Sequence, residues 1–253
     1  EQGYAGTMHY LPERKDAYKH PDSVLSEARS LLVLGMHYGA GQEAGPTSGT
    51  GRVARYAWGS TDYHDLIHQR LRQLKVFHQQ LIPDEMCRGV IDTAPLLEKD
   101  FAQRAGVGWI GKNTMLISRT EGSYFFLAVL LSTARLQYDV PIERDHCGGC
   151  KACLDACPTD AFPKPFVLDA SRCISYLTIE HREAIDAEAG AALLQVVHHP
   201  LDVAHHGLRV AADVHHALEG RGDVARPLVH PGARRVHQQR VQVVVRERRA
   251  CQQ

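Results

Sequence analysis

The sequence predicts a mixed α+β fold in two parts followed by a tail of different character, and three observations carry that prediction. Short apolar runs bounded by turn residues alternate with segments of helical period up to about residue 139. A tight cysteine run then fills residues 147–157, and aromatic residues stop at Tyr176. The boundaries fall at 1–139 for an α/β domain, 140–182 for a small iron–sulfur module and 183–253 for the tail.

The elements follow in order. Pro21-Asp22-Ser23 is placed to cap a short helix through Ala28. Ser30 to Met36 is an apolar run of strand length, read as a buried strand. Gly39 to Gly51 holds five glycines and Pro46, so it must be a loop, and it sits where a ligand loop can lie. Asp62 is the expected N-cap of the clearest helix, in which Ile67, Leu71, Leu74, His78 and Leu81 recur at helical spacing until Pro83 ends it. Gly89 to Asp92 reads as a short strand. Thr93-Ala-Pro95 then reads as the start of a helix carrying Leu97, Phe101 and Ala105 on one face, with Gly106 just past its end. Met115–Ser118 and Ser123–Leu131 read as strands joined by a turn at 119–122. Asp169 is the expected cap of a helix through Cys173, Tyr176 and Ile179.

The most specific signal is chemical. Cys147, Cys150, Cys153 and Cys157-Pro158 reproduce the C-x2-C-x2-C-x3-C-P spacing that holds a [4Fe–4S] cluster. Thiolates two residues apart converge on one cubane only if the chain between them curls, and Gly148 and Gly149 tolerate the positive φ that a curl requires. Zinc sites more often use two separated pairs, and disulfide frameworks belong to small secreted domains. Elsewhere the residues leave alternatives open. Asp92 is a helix cap or a proton donor kept protonated by Val90 and Ile91, and Lys112 is a ligand contact or a surface lysine. His64 and His68, four apart on the helix, are a metal pair or two solvated side chains. Trp109 belongs to a stacking site or to the core, and Arg172, His181 and Arg182 are a phosphate contact or a solvated helix end.

Composition excludes other classes. With 29 acidic and 29 basic residues no global basic field announces nucleic acid, although a local patch remains open. No segment approaches the ~20 apolar residues of a membrane helix and no secretory leader pattern appears, so no membrane partner and a cytoplasmic location are the expectation. The chain opens at Glu1 in mid-pattern and reads as a piece of a longer one. Beyond residue 183 lysine and aromatics are absent, and eight of the sixteen histidines fall in 198–237. That tail is expected to be poorly ordered or helical, and its composition reads best as translation out of an ancestral frame.

Four motifs together resemble the epoxyqueuosine reductase family: Asp92-Thr-Ala-Pro, Gly108-Trp-Ile-Gly-Lys-Asn-Thr, the run from His146 to Pro158, and Arg172-Cys-Ile-Ser-Tyr-Leu-Thr-Ile-Glu-His181. The likeness runs from about Gly3 to His181. It implies a cobalamin-binding α/β domain followed by a ferredoxin-like module with two [4Fe–4S] clusters, reducing epoxyqueuosine to queuosine at the wobble position of tRNA. Under it, Asp92 is the proton donor. Arg14, Arg55, Tyr56, Tyr63, His64 and Asp92, with Gly111, Lys112 and Asn113 of the glycine loop, border the corrin. Cys147, Cys150, Cys153, Cys157 and Cys173 match five of the family's eight cluster ligands. The implied partners are tRNA with a GUN anticodon and an external electron donor, with the protein a monomer.

Two departures qualify this. The family's first several tens of residues have no counterpart before Glu1, and its second cysteine run has none after Cys173, since Cys251 is the one cysteine beyond Glu183. By the family's crossed ligation one cluster would retain Cys147, Cys150 and Cys153, and the other only Cys157 and Cys173. An inactive truncated homologue, an iron–sulfur electron carrier and a reductive dehalogenase-like enzyme are therefore the alternative readings.

Overall fold

A computed structural model describes residues 3–38, 54–142, 146–183, 185 and 242–247. The glycine-rich stretch at 39–51 and most of the tail lie outside the described residues.

The centre is a sheet in which strands β1 (Ser30–His37), β2 (Cys87–Val90), β5 (Phe125–Ser132) and β6 (Gln242–Glu247) lie in the order β2-β5-β1-β6, every pair antiparallel. The apolar runs of β1 and β5 do not alternate with polar residues because both faces of the sheet are covered. Leu31, Val33, Val129 and Leu131 point to one side, against Ala102 and Ala105 of helix α4 (Glu98–Arg104) and its C-cap. Leu32 and Leu130 point to the other, and beside them Ile67 and Leu71 of helix α3 (Tyr63–Leu81) pack on Ala128 and Ile91. Val33, Val129, Leu130 and Leu131 are fully buried, so the sheet centre is the core of the protein.

Sequence and structure agree on β1, on α3 and on its cap, where the Asp62 carboxylate accepts the His64 N–H at 2.8 Å. They differ at four places, each for a local reason. Pro21–Ser23 makes only a 3-10 turn, followed by Glu27 at φ +59. The segment after Asp92 stays irregular until Glu98, because Asp92 itself takes φ +50 and the Thr93 N–H turns back to the Ile91 carbonyl. The strand at 116–117 does not pair with β5. It is β4 (Leu116–Ile117), and it forms a hairpin with β3 (Trp109–Ile110) around Gly111–Thr114. Asp169 caps a 3-10 turn at Ala170–Arg172, and α6 (Ile174–Ile179) starts afresh after Cys173. The tail, expected to be helical or poorly ordered, supplies strand β6 against β1 at 242–247.

Two glycines are required by close approach. A Cβ on Gly108 would lie 2.2 Å from the Ile117 carbonyl oxygen, across the β3–β4 hairpin. Gly106 takes φ +78 at the end of α4, as expected of a C′ glycine, and a Cβ there would meet the Val140 carbonyl at 2.6 Å.

The cysteine module packs onto this frame through its own small core of Cys157, Ala161, Ala170, Cys173, Tyr176 and Leu177, with Met8 against it. The N-terminal segment belongs to that contact: the Thr7 N–H donates to the Tyr176 hydroxyl at 2.9 Å and the Ala170 N–H to the Tyr4 carbonyl at 2.9 Å.

Candidate active site and cluster-binding loop

Asp92 follows β2 at the edge of α3. Its left-handed backbone is a strained conformation that Asp tolerates better than most residues, and it turns the carboxylate out of the sheet. The Tyr63 hydroxyl donates to Asp92 Oδ2 at 2.7 Å, and His64 Nε2 lies 3.3 Å from the same oxygen. Among the described residues Oδ1 accepts no hydrogen bond. The Asp92 N–H donates to Glu98 Oε1 at 3.1 Å. Successive residues at the start of α3 therefore converge on one carboxylate, which rests on the side chain at the start of α4.

The electrostatics correct one expectation. Val90 and Ile91 turn into the core, while the Asp92 side chain is 46% exposed, so apolar burial does not envelop it. Desolvation acts on its neighbours instead. Burial, with the Asp92 charge adding to it, raises the Glu98 carboxyl to about 8. The Tyr63 phenol is raised by burial and by its bond to Asp92, so it stays a donor at any physiological pH. Asp62 is pulled down by the bonds it accepts from His64.

Beneath this group lies an aromatic shelf. Tyr63 stacks on Phe126 at 4.2 Å and 9°, and Tyr56 meets Tyr63 edge-on at 5.8 Å. Tyr38 lies 4.6 Å from Phe126, and the Arg55 guanidinium sits 4.6 Å from the Tyr124 ring centre. Burial raises the Tyr38 phenol to about 12. The structure thus gathers Arg55, Tyr56, Tyr63, His64 and Asp92, far apart in sequence, and adds Tyr38, Glu98, Tyr124 and Phe126, which sequence reasoning passed over. Aromatics in apolar strands read as core, and nothing local marked Glu98. Arg14 lies exposed at the junction of α1 (Tyr10–Glu13) and α2 (Lys15–Lys19). His68 is exposed too.

The glycine loop makes contacts that the sequence did not specify. In the β3–β4 turn the Asn113 side chain accepts the Met115 N–H at 3.2 Å, and Gly111 N–H bonds the Met115 carbonyl at 2.8 Å. Lys112, expected at the corrin, is 9% exposed and gives its ammonium to the cysteine loop, at 2.6 Å to the Gly148 carbonyl and 2.8 Å to that of Cys150. Trp109 packs against His146 with ring centres 4.6 Å apart.

The cysteines divide into two sets. Gly148 takes φ +44 and the Cys150 N–H closes a turn onto Cys147, as the curl requires. The Cys153 thiol is pushed up by burial and then by Cys147 and Cys150. Cys173 is pushed up by burial, with Cys157 adding to it, while N–H groups of Tyr176 and Ser175 pull the other way. Cys157 Sγ accepts the Ala161 N–H at 3.4 Å. Thiols raised by burial and by each other, with N–H donors aimed at sulfur, fit a cluster whose iron supplies the missing positive charge. Among the described residues no three His, Cys, Asp or Glu side chains are already drawn together as for a single ion. Half-exposed aromatics and an arginine around an acidic side chain likewise fit a broad, flat, conjugated ring.

Fold and site together define an iron–sulfur protein in which a cysteine module docks on a mixed α/β domain bearing an exposed carboxylate. Comparison with known proteins narrows that class. Residues 19–93 match the family model described as Epoxyqueuosine reductase QueG, and residues 146–197 that of a 4Fe-4S double cluster binding domain. The epoxyqueuosine reductase of Pseudomonas aeruginosa is 43% identical over 192 residues, covering 74% of this chain and 53% of that one. That of Synechocystis sp. is 40% identical over 195 residues, covering 76% and 65%. Among solved structures, an epoxyqueuosine reductase bound to an epoxyqueuosine-modified tRNA-Tyr stem loop is similar with TM-score 0.62 and 31% identity, covering 73% of this chain and 52% of that one. The Bacillus subtilis enzyme, captured with its catalytic aspartate loop swung out of the active site, matches with TM-score 0.62 and 28% identity, covering 88% and 59%. Over about three quarters of its length the chain is similar to epoxyqueuosine reductases. It spans between about half and two thirds of the length of these curated relatives.

Proposed function

We propose that the protein reduces epoxyqueuosine to queuosine at the wobble position of tRNA with a GUN anticodon, in the cytoplasm, with Asp92 as proton donor. The observation that carries this is the Asp92 constellation: a strained, exposed carboxyl held on one oxygen by Tyr63 and His64, with Oδ1 turned to no described partner. Removing the epoxide oxygen to leave an alkene takes up two electrons and two protons and releases water. Cobalamin, when bound, would supply the reducing chemistry that the reaction requires. The residues do the rest. Arg55, Tyr56 and Tyr63 form the shelf that receives the corrin, with Arg14, Gly111 and Asn113 assigned to its border. As the C–O bond breaks, charge grows on the oxygen, and proton transfer through Asp92 Oδ1 neutralises it, while Tyr63 and His64 keep Oδ2 still. General acid catalysis of this kind is worth roughly 10²–10⁴ in rate. Glu98, by accepting the Asp92 N–H, fixes the turn that presents the acid. A relative whose aspartate loop swings out supports the same picture of a loop that must be held in.

Electrons from an external donor enter through the cysteine module, residues 140–182. Cys147, Cys150 and Cys153 hold one [4Fe–4S] cluster with a ligand from outside the set, and Cys157 and Cys173 begin a second. That incomplete second set favours one other reading, a family member that binds a cluster but does not turn over. Expression in a strain lacking its own reductase separates them. Queuosine in the tRNA hydrolysate supports the enzyme, and persistent epoxyqueuosine with soluble, cluster-loaded protein supports the inactive relative.

A further inference from the structure

Lys112 is 9% exposed, and the two acceptors of its ammonium, the Gly148 and Cys150 carbonyls, are both neutral. No carboxylate forms an ion pair with it among the described residues. Burying a cation is costly unless something anionic answers it. The charge is not paired in its own hairpin, where the nearby polar side chain, Asn113, is turned to the Met115 N–H. It is aimed across the domain boundary into the loop that carries Cys147, Cys150 and Cys153. The Lys112 backbone is tied to the same module, since its carbonyl accepts the Phe166 N–H at 2.9 Å.

We infer that Lys112 is a positioning residue for the cluster of Cys147, Cys150 and Cys153, and that the thiolate-ligated cluster is its counter-charge. This rests on the reading that those cysteines hold iron. A [4Fe–4S] core with thiolate ligands is an anion, and it becomes more negative on accepting an electron. A fixed cation hydrogen-bonded to the loop that carries the ligands stabilises the reduced form more than the oxidised one. The two carbonyl contacts also hold the loop in the curl that presents three sulfurs to one face. Lys112 therefore sets both how firmly the cluster is held and how readily it is reduced by an external one-electron donor. Because the lysine sits in the β3–β4 hairpin of the α/β domain, it also joins the electron-carrying module to the domain that bears Asp92.

The test uses the full chain, reconstituted anaerobically with iron and sulfide, as wild type, Lys112→Met and Lys112→Arg. Methionine keeps the length of the apolar stem without charge or donors, and arginine keeps the charge. Iron and sulfide content is measured first, then the reduction midpoint by EPR-monitored titration with dithionite. In Lys112→Met the reduction equilibrium should move about tenfold toward the oxidised form, 59 mV for one electron, and Lys112→Arg should recover most of it. If Lys112→Met does not load, iron retained by Lys112→Arg supports the inference, and loss in both variants alike overturns it as mere packing. An unchanged midpoint in a fully loaded Lys112→Met overturns it as well. Wild type that takes up no iron defeats the cluster reading itself, and the wild-type iron content tells that failure from a failure of Lys112.

Discussion

The Asp92 site and the cysteine loop are built by opposite means. Around Asp92 the functional groups come from β1, α3, the β2 end, α4 and β5, and they already touch one another. In the cysteine loop the groups come from a single run of eleven residues, and what holds them is reached from outside by Lys112. The first site is a by-product of the sheet: once β1, β5 and α3 pack, Tyr63, Phe126 and Asp92 have nowhere else to go. The second is a loop with little core beneath it. Cys150 is exposed, whereas Cys157 and Cys173 lie in the module's apolar cluster. Damage to the sheet should therefore reach Asp92 before it reaches the loop, and damage to the loop should leave Asp92 intact.

Cys153→Ser should break the loop most completely. It removes the sulfur at the centre of the three-cysteine set, so reconstituted protein should lose its cluster signal by EPR while keeping wild-type far-ultraviolet dichroism. The reciprocal change is Leu131→Ala, which opens a cavity in the fully buried sheet centre. It should cost about 2–5 kcal/mol of stability in denaturant unfolding, and the loss should spread to the Asp92 shelf on the adjoining strands.

A third experiment sharpens the electrostatics. The Glu98 carboxyl titrates near 8 in the folded chain against an ordinary value of 4.5. A group raised on folding binds more protons in the native state than in the unfolded one, so its stabilising effect is complete below about 4.5 and is lost as pH rises through about 8. Glu98→Gln should remove that loss, leaving a flatter profile of melting temperature between about pH 5 and pH 9. The smallest effect is expected at the start of α3. Asp62→Ala should cost ~1 kcal/mol as a lost N-cap, and it should loosen the His64 ring that Asp62 and Asp92 now share.

These contrasts explain what the sequence could convey. Cysteine spacing is a local code, and Cys147, Cys150, Cys153 and Cys157 were legible from it as candidate ligands. The α3 cap and period were legible for the same reason, since helix signals repeat within a few residues. The Asp92 partners were not, because Tyr63 and Glu98 meet it only through tertiary packing, and a positive φ at an Asp leaves no mark in the sequence. The β3–β4 hairpin was missed because two-residue strands carry no periodicity. Lys112 could be singled out from its motif but not placed, since its acceptors are backbone carbonyls 36 and 38 residues away.

The central claim is that Asp92 supplies the proton. The most direct measurement is single-turnover conversion of an epoxyqueuosine-containing stem loop by pre-reduced, cobalamin- and cluster-loaded protein, comparing wild type with Asp92→Asn by nucleoside mass spectrometry. The account predicts that wild type forms queuosine and that Asp92→Asn, with the same iron and cobalamin content, is slower by roughly 10²-fold or more. An Asp92→Asn rate equal to that of wild type would contradict it.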